Sequence, residues 1–244
     1  MERENPQWGV LEKLVDGDCM EPREKRQVKK QYFIAGLGAN ERAFEKLGDF
    51  GTEKIMVLWL KNEDNESLNS YAQRIIETYK ITKDDILVGL SFGGLIAQEI
   101  AVLLGMKYVI LISSFRTKDD LRSIHSLGLK FKLFKLMPEL NFPFISESVA
   151  NFFNAGYKSS KPILKDMVMN MDMKLTKWSM EKIHEQNEVI GDQLVKYNII
   201  GTKDRIMQTW ENDQTFKIEN GGHFMVYEHA EEISKIISKI VAEN

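Results

Sequence analysis

A serine hydroxyl attacks a carbonyl carbon only when a base takes its proton and hydrogen-bond donors hold the charge that develops on the carbonyl oxygen. The stretch Gly89-Leu90-Ser91-Phe92-Gly93 offers a setting for such a hydroxyl. It follows the apolar run Ile86-Leu87-Val88 and precedes the apolar stretch from Leu95 to Leu104, which is the pattern of a strand, a sharp turn and a helix. A turn of that kind lifts the serine oxygen clear of the backbone, and Gly89, Gly93 and Gly94 let strand and helix approach closely. A Gly-x-Ser-x-Gly pattern arises by chance in roughly one chain in twelve of this length. The weight therefore rests on its context and on its partners.

A base is required, and the chain has four histidines, His125, His184, His223 and His229. His125 and His184 fall in a stretch of helical character, and His229, flanked by Glu228 and Glu231, is expected on a solvated helix face. His223 differs, because Gly221-Gly222-His223 follows a strand-like segment on a loop free to place an imidazole. The imidazole in turn needs a carboxylate to fix its tautomer and balance its charged form. Asp204, in Gly201-Thr202-Lys203-Asp204-Arg205, lies just past another strand-like run; Asp213 and the pair Asp119 and Asp120 are weaker alternatives.

These residues need a frame. Apolar runs at Tyr32 to Ala35, Ile55 to Trp59, Ile86 to Val88 and Tyr108 to Ile112 alternate with helical patterns: one after Asn40 with Ala43, Phe44 and Leu47 on a face, one with Leu68, Tyr71, Ala72, Ile75, Ile76 and Tyr79, and one from Leu95 to Leu104. The continuous run Ile55 to Trp59 reads as a strand buried on both faces. Strand-like sequence returns at Leu194 to Ile200 and Thr215 to Ile218, and a helix from Glu231 to Val241 closes the chain. The order predicts an α/β fold, a mostly parallel central β-sheet with helices on both faces. Between Phe115 and Asn187 only helical segments are evident, including Leu127 to Leu136 and Met167 to His184. The expected division is a core of residues 1–114 and 188–244 with a helical cap insertion of residues 115–187; residues 1–30 carry little periodicity.

The bulk numbers bound the function. A hydrophobic share of 43% and a charged share of 28% suit a globular core. Thirty-six acidic against 33 basic residues give a net charge of −3 without a long basic run, so nucleic acid is not an expected partner. The single cysteine, Cys19, forms no intramolecular disulfide, the stretch Met1 to Trp8 lacks the apolar segment of a secretory signal, and no later run reaches the length of a membrane span. The expectation is a cytoplasmic protein without stable membrane insertion; oligomeric state is not legible.

The ordered set of motifs resembles the α/β-hydrolase superfamily from about Gln31 to the C-terminus: strand, loop Gly36-Leu37-Gly38, elbow Gly89 to Gly94, helical cap, Gly-Thr-Lys-Asp-Arg, Gly-Gly-His. The resemblance implies a Ser91, Asp204, His223 triad, an oxyanion hole from the backbone amides of Leu37 and Phe92, and a mechanism through an acyl-enzyme without metal or organic cofactor. Two departures stand out. Ala35-Gly36 replaces the His-Gly of many relatives, and the stretch from Asp204 to His223 is short, as if a helix were reduced to a turn. The leading expectation is hydrolysis of a small or medium carboxylic ester. A thioesterase, or a carbon-carbon bond hydrolase or lyase, is the alternative on the same fold, and a non-catalytic ligand-binding or scaffold protein is the alternative of another class.

The expected partner is a small apolar acyl substrate. Gly36, Asn40 and Arg42, in or beside the oxyanion loop, are candidates to touch it, Asn40 and Arg42 through a polar group. Leu127 to Met137, apolar with interspersed lysines, reads as a packed cap helix, with a lipid-touching lid as the second reading. Met167, Met169, Met171, Met173 and Met180 suit either cap packing or an adaptable acyl pocket.

Overall fold

The computed structural model describes residues 29–122, 160–208 and 210–244. Six parallel strands form one sheet: β1 (Lys30–Ile34), β2 (Glu53–Val57), β3 (Ile86–Leu90), β4 (Tyr108–Ile112), β5 (Val195–Gly201) and β6 (Thr215–Ile218), in the order β2-β1-β3-β4-β5-β6. Register aligns Ile34 with Val57 and Gly89, Leu90 with Ile112, Ile112 with Ile199, and Gly201 with Ile218. The turns that leave β1, β3, β5 and β6 therefore emerge along one carboxyl edge, where open α/β sheets gather their ligands.

Alternation along each strand sends side chains to two cores. Tyr32, Ile34, Leu87, Val109 and Leu111 pack beneath α1 (Leu68–Tyr79) and α2 (Phe92–Leu104). Phe33, Val88, Ile110, Ile112 and Ile199 pack on the other face with Ile233, Ile237 and Ile240 of the C-terminal helix. The central pair β3 and β4 has no charged or amide side chain at any position because both faces are covered.

Three expectations need correction. The run Ile55 to Trp59 ends as a strand at Val57, its one fully buried residue, and Leu58 is 54% exposed. Among the described residues β2 pairs on one side only, with β1, and apolar composition alone did not reveal that. The helix expected after Asn40 is a single 3-10 turn, Glu41–Phe44, which buries Ala43 and Phe44 before the chain reaches Gly48. The helical stretch Met167 to His184 is divided between α3 (Lys161–Met169) and α4 (Met173–Glu185). The break follows from chemistry: Asn170 Nδ2 donates to the Asp166 carbonyl at 2.9 Å, and Asp172 Oδ1 accepts from the amides of Lys174 and Leu175 at 2.8 and 3.0 Å. Short polar side chains that bond the backbone in this way end one helix and start the next.

After β4 the chain stays against the core as far as Arg122: Phe115 is buried, and Leu121 pairs antiparallel with Met207. The stretches 1–28 and 127–137, with Cys19 and His125, lie outside the described residues. The chain ends in α5 (Met225–Glu228) and α6 (Ala230–Glu243). No described helix is long and apolar enough to cross a membrane.

Candidate active site

Ser91 occupies the turn between β3 and α2 with φ 52° and ψ −121°. A non-glycine residue there is strained by about 1–3 kcal/mol, which the surroundings must over-determine. They do so through the backbone. The Ser91 amide donates to the Ile112 carbonyl at 3.0 Å, and its carbonyl accepts from the Gly94 amide at 2.9 Å and from Ser114 Oγ at 2.8 Å. Gly93 is required by close approach, since a Cβ there would lie 2.2 Å from the Ala35 carbonyl oxygen and 2.3 Å from that of Ile34. The first turn of α2 is thus pressed onto the end of β1, which brings the Gly36 loop beside the serine. A Cβ on Gly36 would sit 3.0 Å from Ser91 Cβ.

His223 leaves β6 on a turn closed by the Gly221 amide on the Ile218 carbonyl and by the Lys203 amide on the Gly221 carbonyl, so the loops after β5 and β6 are hydrogen-bonded to each other. The imidazole is 4% exposed; its Nε2 lies 3.1 Å from Ser91 Oγ and its Nδ1 2.9 Å from Asp204 Oδ2. Asp204 is 3% exposed, and its second oxygen accepts from the amides of Ile206 and Met207 at 2.8 and 3.0 Å. Arg122 Nε donates to the carbonyls of Asp204 and Met207 at 3.0 and 3.1 Å, which fixes the loop from behind.

Burial by itself pushes the Asp204 carboxyl up. The opposing pull of His223, by charge and hydrogen bond, together with the Met207 and Ile206 amides, outweighs it and holds the carboxyl below its ordinary value. It is therefore an anion at neutral pH. The relay Asp204, His223, Ser91 runs from a buried, hydrogen-bonded anion to a partly exposed serine.

The alternatives for the acid lie elsewhere. Both oxygens of Asp120 engage Arg116, at 2.8 to 3.1 Å, and Asp119 and Asp213 are exposed. Between Asp204 and β6 the described residues form no helix, in keeping with the short sequence there. His229 is not on a solvated face as expected. Its side chain is 17% exposed at the junction of α5 and α6, because α5 is too short to carry it out into solvent.

Two adjoining clefts open at this edge. One, the smaller, is lined by Gly36, Leu37, Leu90, Ser91, Leu164 and His223. The other shares Leu37 to Ala39 and is walled by Trp59, Met167, Met171, Leu175 and Ser179. Two of the five methionines named from sequence, Met167 and Met171, thus face open space, while Met169 is 41% exposed. Asn40 borders the second cleft, but its Oδ1 accepts from the Arg42 amide at 3.1 Å and caps the 3-10 turn. Arg42 pairs with Asp166 at 2.6 Å on the surface and does not line either cleft. Sequence reasoning passed over Ser114, Arg122 and Trp59. Trp59 was absorbed into the apolar run of a strand; Ser114 and Arg122 carry no local signal, since their partners are up to 85 residues away. Among the described residues no cluster of three or more His, Cys, Asp or Glu is placed to hold a metal ion.

No protein-family model matches the sequence, and no curated protein matches it. Solved structures do. The N-acyl homoserine lactonase AidH complexed with N-butanoyl homoserine is 16% identical, with 87% of this chain and 88% of that chain covered and a TM-score of 0.66. A thermophilic esterase from Thermogutta terrifontis, malate bound, is 13% identical, with 88% and 90% covered and a TM-score of 0.66. An esterase from Exiguobacterium antarcticum is 15% identical, with 88% and 92% covered and a TM-score of 0.62. At these identities the likeness is one of fold.

Proposed function

On the α/β-hydrolase fold that this chain adopts, we propose that it is a serine hydrolase that cleaves a small or medium carboxylic ester, with Ser91 as nucleophile, His223 as general base and acid, and Asp204 as the orienting carboxylate. The observation that carries the reading is the continuous Ser91, His223, Asp204 relay at 3.1 and 2.9 Å, opening into a mostly apolar cleft. Asp204 accepts a hydrogen bond from Nδ1–H and so leaves Nε2 as the acceptor for the hydroxyl proton. Ser91 Oγ bonds to the acyl carbon as His223 takes its proton, and the amides of Leu37 and Phe92 donate to the oxyanion. Among the described residues no protein acceptor engages either amide. His223 then hands the proton to the leaving alkoxide, and a water, deprotonated by the same nitrogen, releases the carboxylate and restores the serine.

The likeness to two esterases and a lactonase favours an oxygen ester over a thioester or a carbon-carbon bond. The adjoining clefts favour an apolar acyl group of modest length, with residues 115–187 as its cap. The test is a p-nitrophenyl butyrate assay beside labelling with a fluorophosphonate probe. The protein turns over the ester and labels; Ser91→Ala does neither, at an unchanged circular dichroism spectrum. Full turnover by a folded Ser91→Ala variant overturns the reading.

A further inference from the structure

We infer that Trp59 is the positioning residue of the oxyanion hole, a single side chain that holds both of its amide-bearing segments in register; the inference rests on the serine-hydrolase reading above. Leu37 lies in the turn after β1 and Phe92 begins α2, so the two amides belong to separate segments. Two donors stabilise one oxyanion only when both are held within a few tenths of an ångström of the productive geometry. Trp59 reaches both segments. Its Nε1 donates to the Ala39 carbonyl at 3.1 Å, in the turn that the Ala39 amide closes on the Gly36 carbonyl at 3.0 Å. Its ring stacks on that of Phe92, with centroids 5.8 Å apart and planes at 23°.

The segment that carries Trp59 is anchored in turn. It has left the ladder of β2, and α1 holds its backbone through two phenols. The Leu58 amide donates to Tyr79 Oη at 2.7 Å, the Leu60 amide donates to Tyr71 Oη at 3.0 Å, and Tyr71 Oη donates to the Leu60 carbonyl at 2.8 Å. Burial pushes the Tyr71 hydroxyl well above its ordinary value, so it keeps its proton and remains a donor. From α4, Trp178 packs on Tyr71 at 4.6 Å and edge-on to Phe92 at 6.0 Å, which backs the stack from the far side. A path of hydrogen bonds and ring contacts thus runs from α1 through Trp59 to both proposed donors. Trp59 borders the second cleft and does not line the one that holds Ser91 and His223.

A tryptophan that merely fills a core changes stability when replaced, and leaves the turnover of each folded molecule alone. A positioning residue changes kcat at constant KM, and changes the affinity of compounds that form an oxyanion on the serine. Trp59→Phe keeps a stacking ring and deletes the N–H. With p-nitrophenyl acetate, whose acyl group is too short to use the second cleft, kcat is expected to fall about tenfold, on the scale of one lost hydrogen bond, with KM within twofold. The affinity for a methyl trifluoromethyl ketone, which adds to the serine as a tetrahedral oxyanion, falls in parallel. Tyr79→Phe, which releases the Leu58 amide and so loosens the segment that carries Trp59 without removing its ring or N–H, lowers kcat and ketone affinity together by about threefold. A folded Trp59→Phe variant with the parental kcat and ketone affinity overturns the inference, as does a fall in kcat that the ketone does not follow. Should Trp59→Phe not fold, Tyr79→Phe decides, and parental values there overturn it. An unsubstituted protein that neither turns over esters nor labels at Ser91 removes the serine-hydrolase reading itself. An active parent indifferent to Trp59 removes only the inference.

Discussion

Ser91, His223 and Asp204 stand on turns that leave parallel strands, and each is held by backbone bonds from neighbouring segments. Leu164, Met167, Met171 and Leu175 wall the same opening from α3 and α4, helices whose outer faces carry exposed ion pairs such as Lys174 with Asp64 and Arg42 with Asp166. The first wall has little freedom, because moving any of its residues breaks a buried hydrogen bond or drives backbone into backbone. The second wall is packed side chains, flexible methionines among them, and adjusts at low energy. Chemistry needs the first kind of wall. Selectivity for an acyl group can live in the second.

That contrast can be broken or sharpened by substitution. After Ser91→Ala, the largest effect is expected from Asp204→Asn, which leaves the imidazole in the wrong tautomer and lowers kcat by about 10⁴-fold, as in other triads; ester turnover within tenfold of the parent would break the assignment. The same pair of proteins reports on pH. The Asp204 carboxyl is lower in the folded than in the unfolded chain, so its contribution to stability is present above the ordinary carboxylate value of about 3.9 and is lost as pH falls through the folded value. The stability difference between parent and Asp204→Asn, measured by urea unfolding, should stay constant near neutrality and shrink only below about pH 4.

Gly93→Ala comes next. Its Cβ meets two carbonyl oxygens of the β1 end at 2.2 and 2.3 Å, and neither can swing aside as a side chain would. A loss of about 3 kcal/mol in urea unfolding is expected, with activity falling as the elbow shifts; a loss under about 0.5 kcal/mol would mean that the two segments are less tightly joined than the geometry requires.

The helical wall should answer differently. Met171→Ala is expected to raise KM for a p-nitrophenyl octanoate about fivefold and to leave p-nitrophenyl acetate unchanged, the scale of a few lost apolar contacts. An equal effect on both esters would erase the distinction between the walls. The smallest effect belongs to Arg42→Ala, whose ion pair is about half exposed on both sides. Stability should change by less than about 1 kcal/mol, and kcat/KM for neutral esters should not change. A marked fall in activity would return Arg42 to the substrate role that its place beside the loop suggested.

The elbow and the residues proposed as base and acid were legible because each is marked by short-range pattern: glycines around a serine after an apolar run, Gly-Gly-His after another, and Gly-Thr-Lys-Asp after a third. β3 and β4 were legible because cover on both faces keeps their positions apolar. β2 misled for the same reason in reverse, since its apolar stretch reads like a strand buried on both faces until the exposure of Leu58 is seen. The split of the stretch Met167 to His184 was written in Asn170 and Asp172, whose capping chemistry the apolar periodicity masked. Arg42 and His229 were assigned by their sequence neighbours, whereas Asp166 and the α5–α6 junction decide their surroundings.

The sequence by itself determined the order of strands and helices and which serine, histidine and aspartate could act together, because these depend on residue types at close spacing. Only the tertiary structure decided that Ser91 and His223, 132 residues apart, meet at 3.1 Å, and that Trp59 touches the segments of both proposed oxyanion donors. The physical reason is that strand order and crossover set those distances, and they belong to the pairing of the sheet rather than to any stretch of chain.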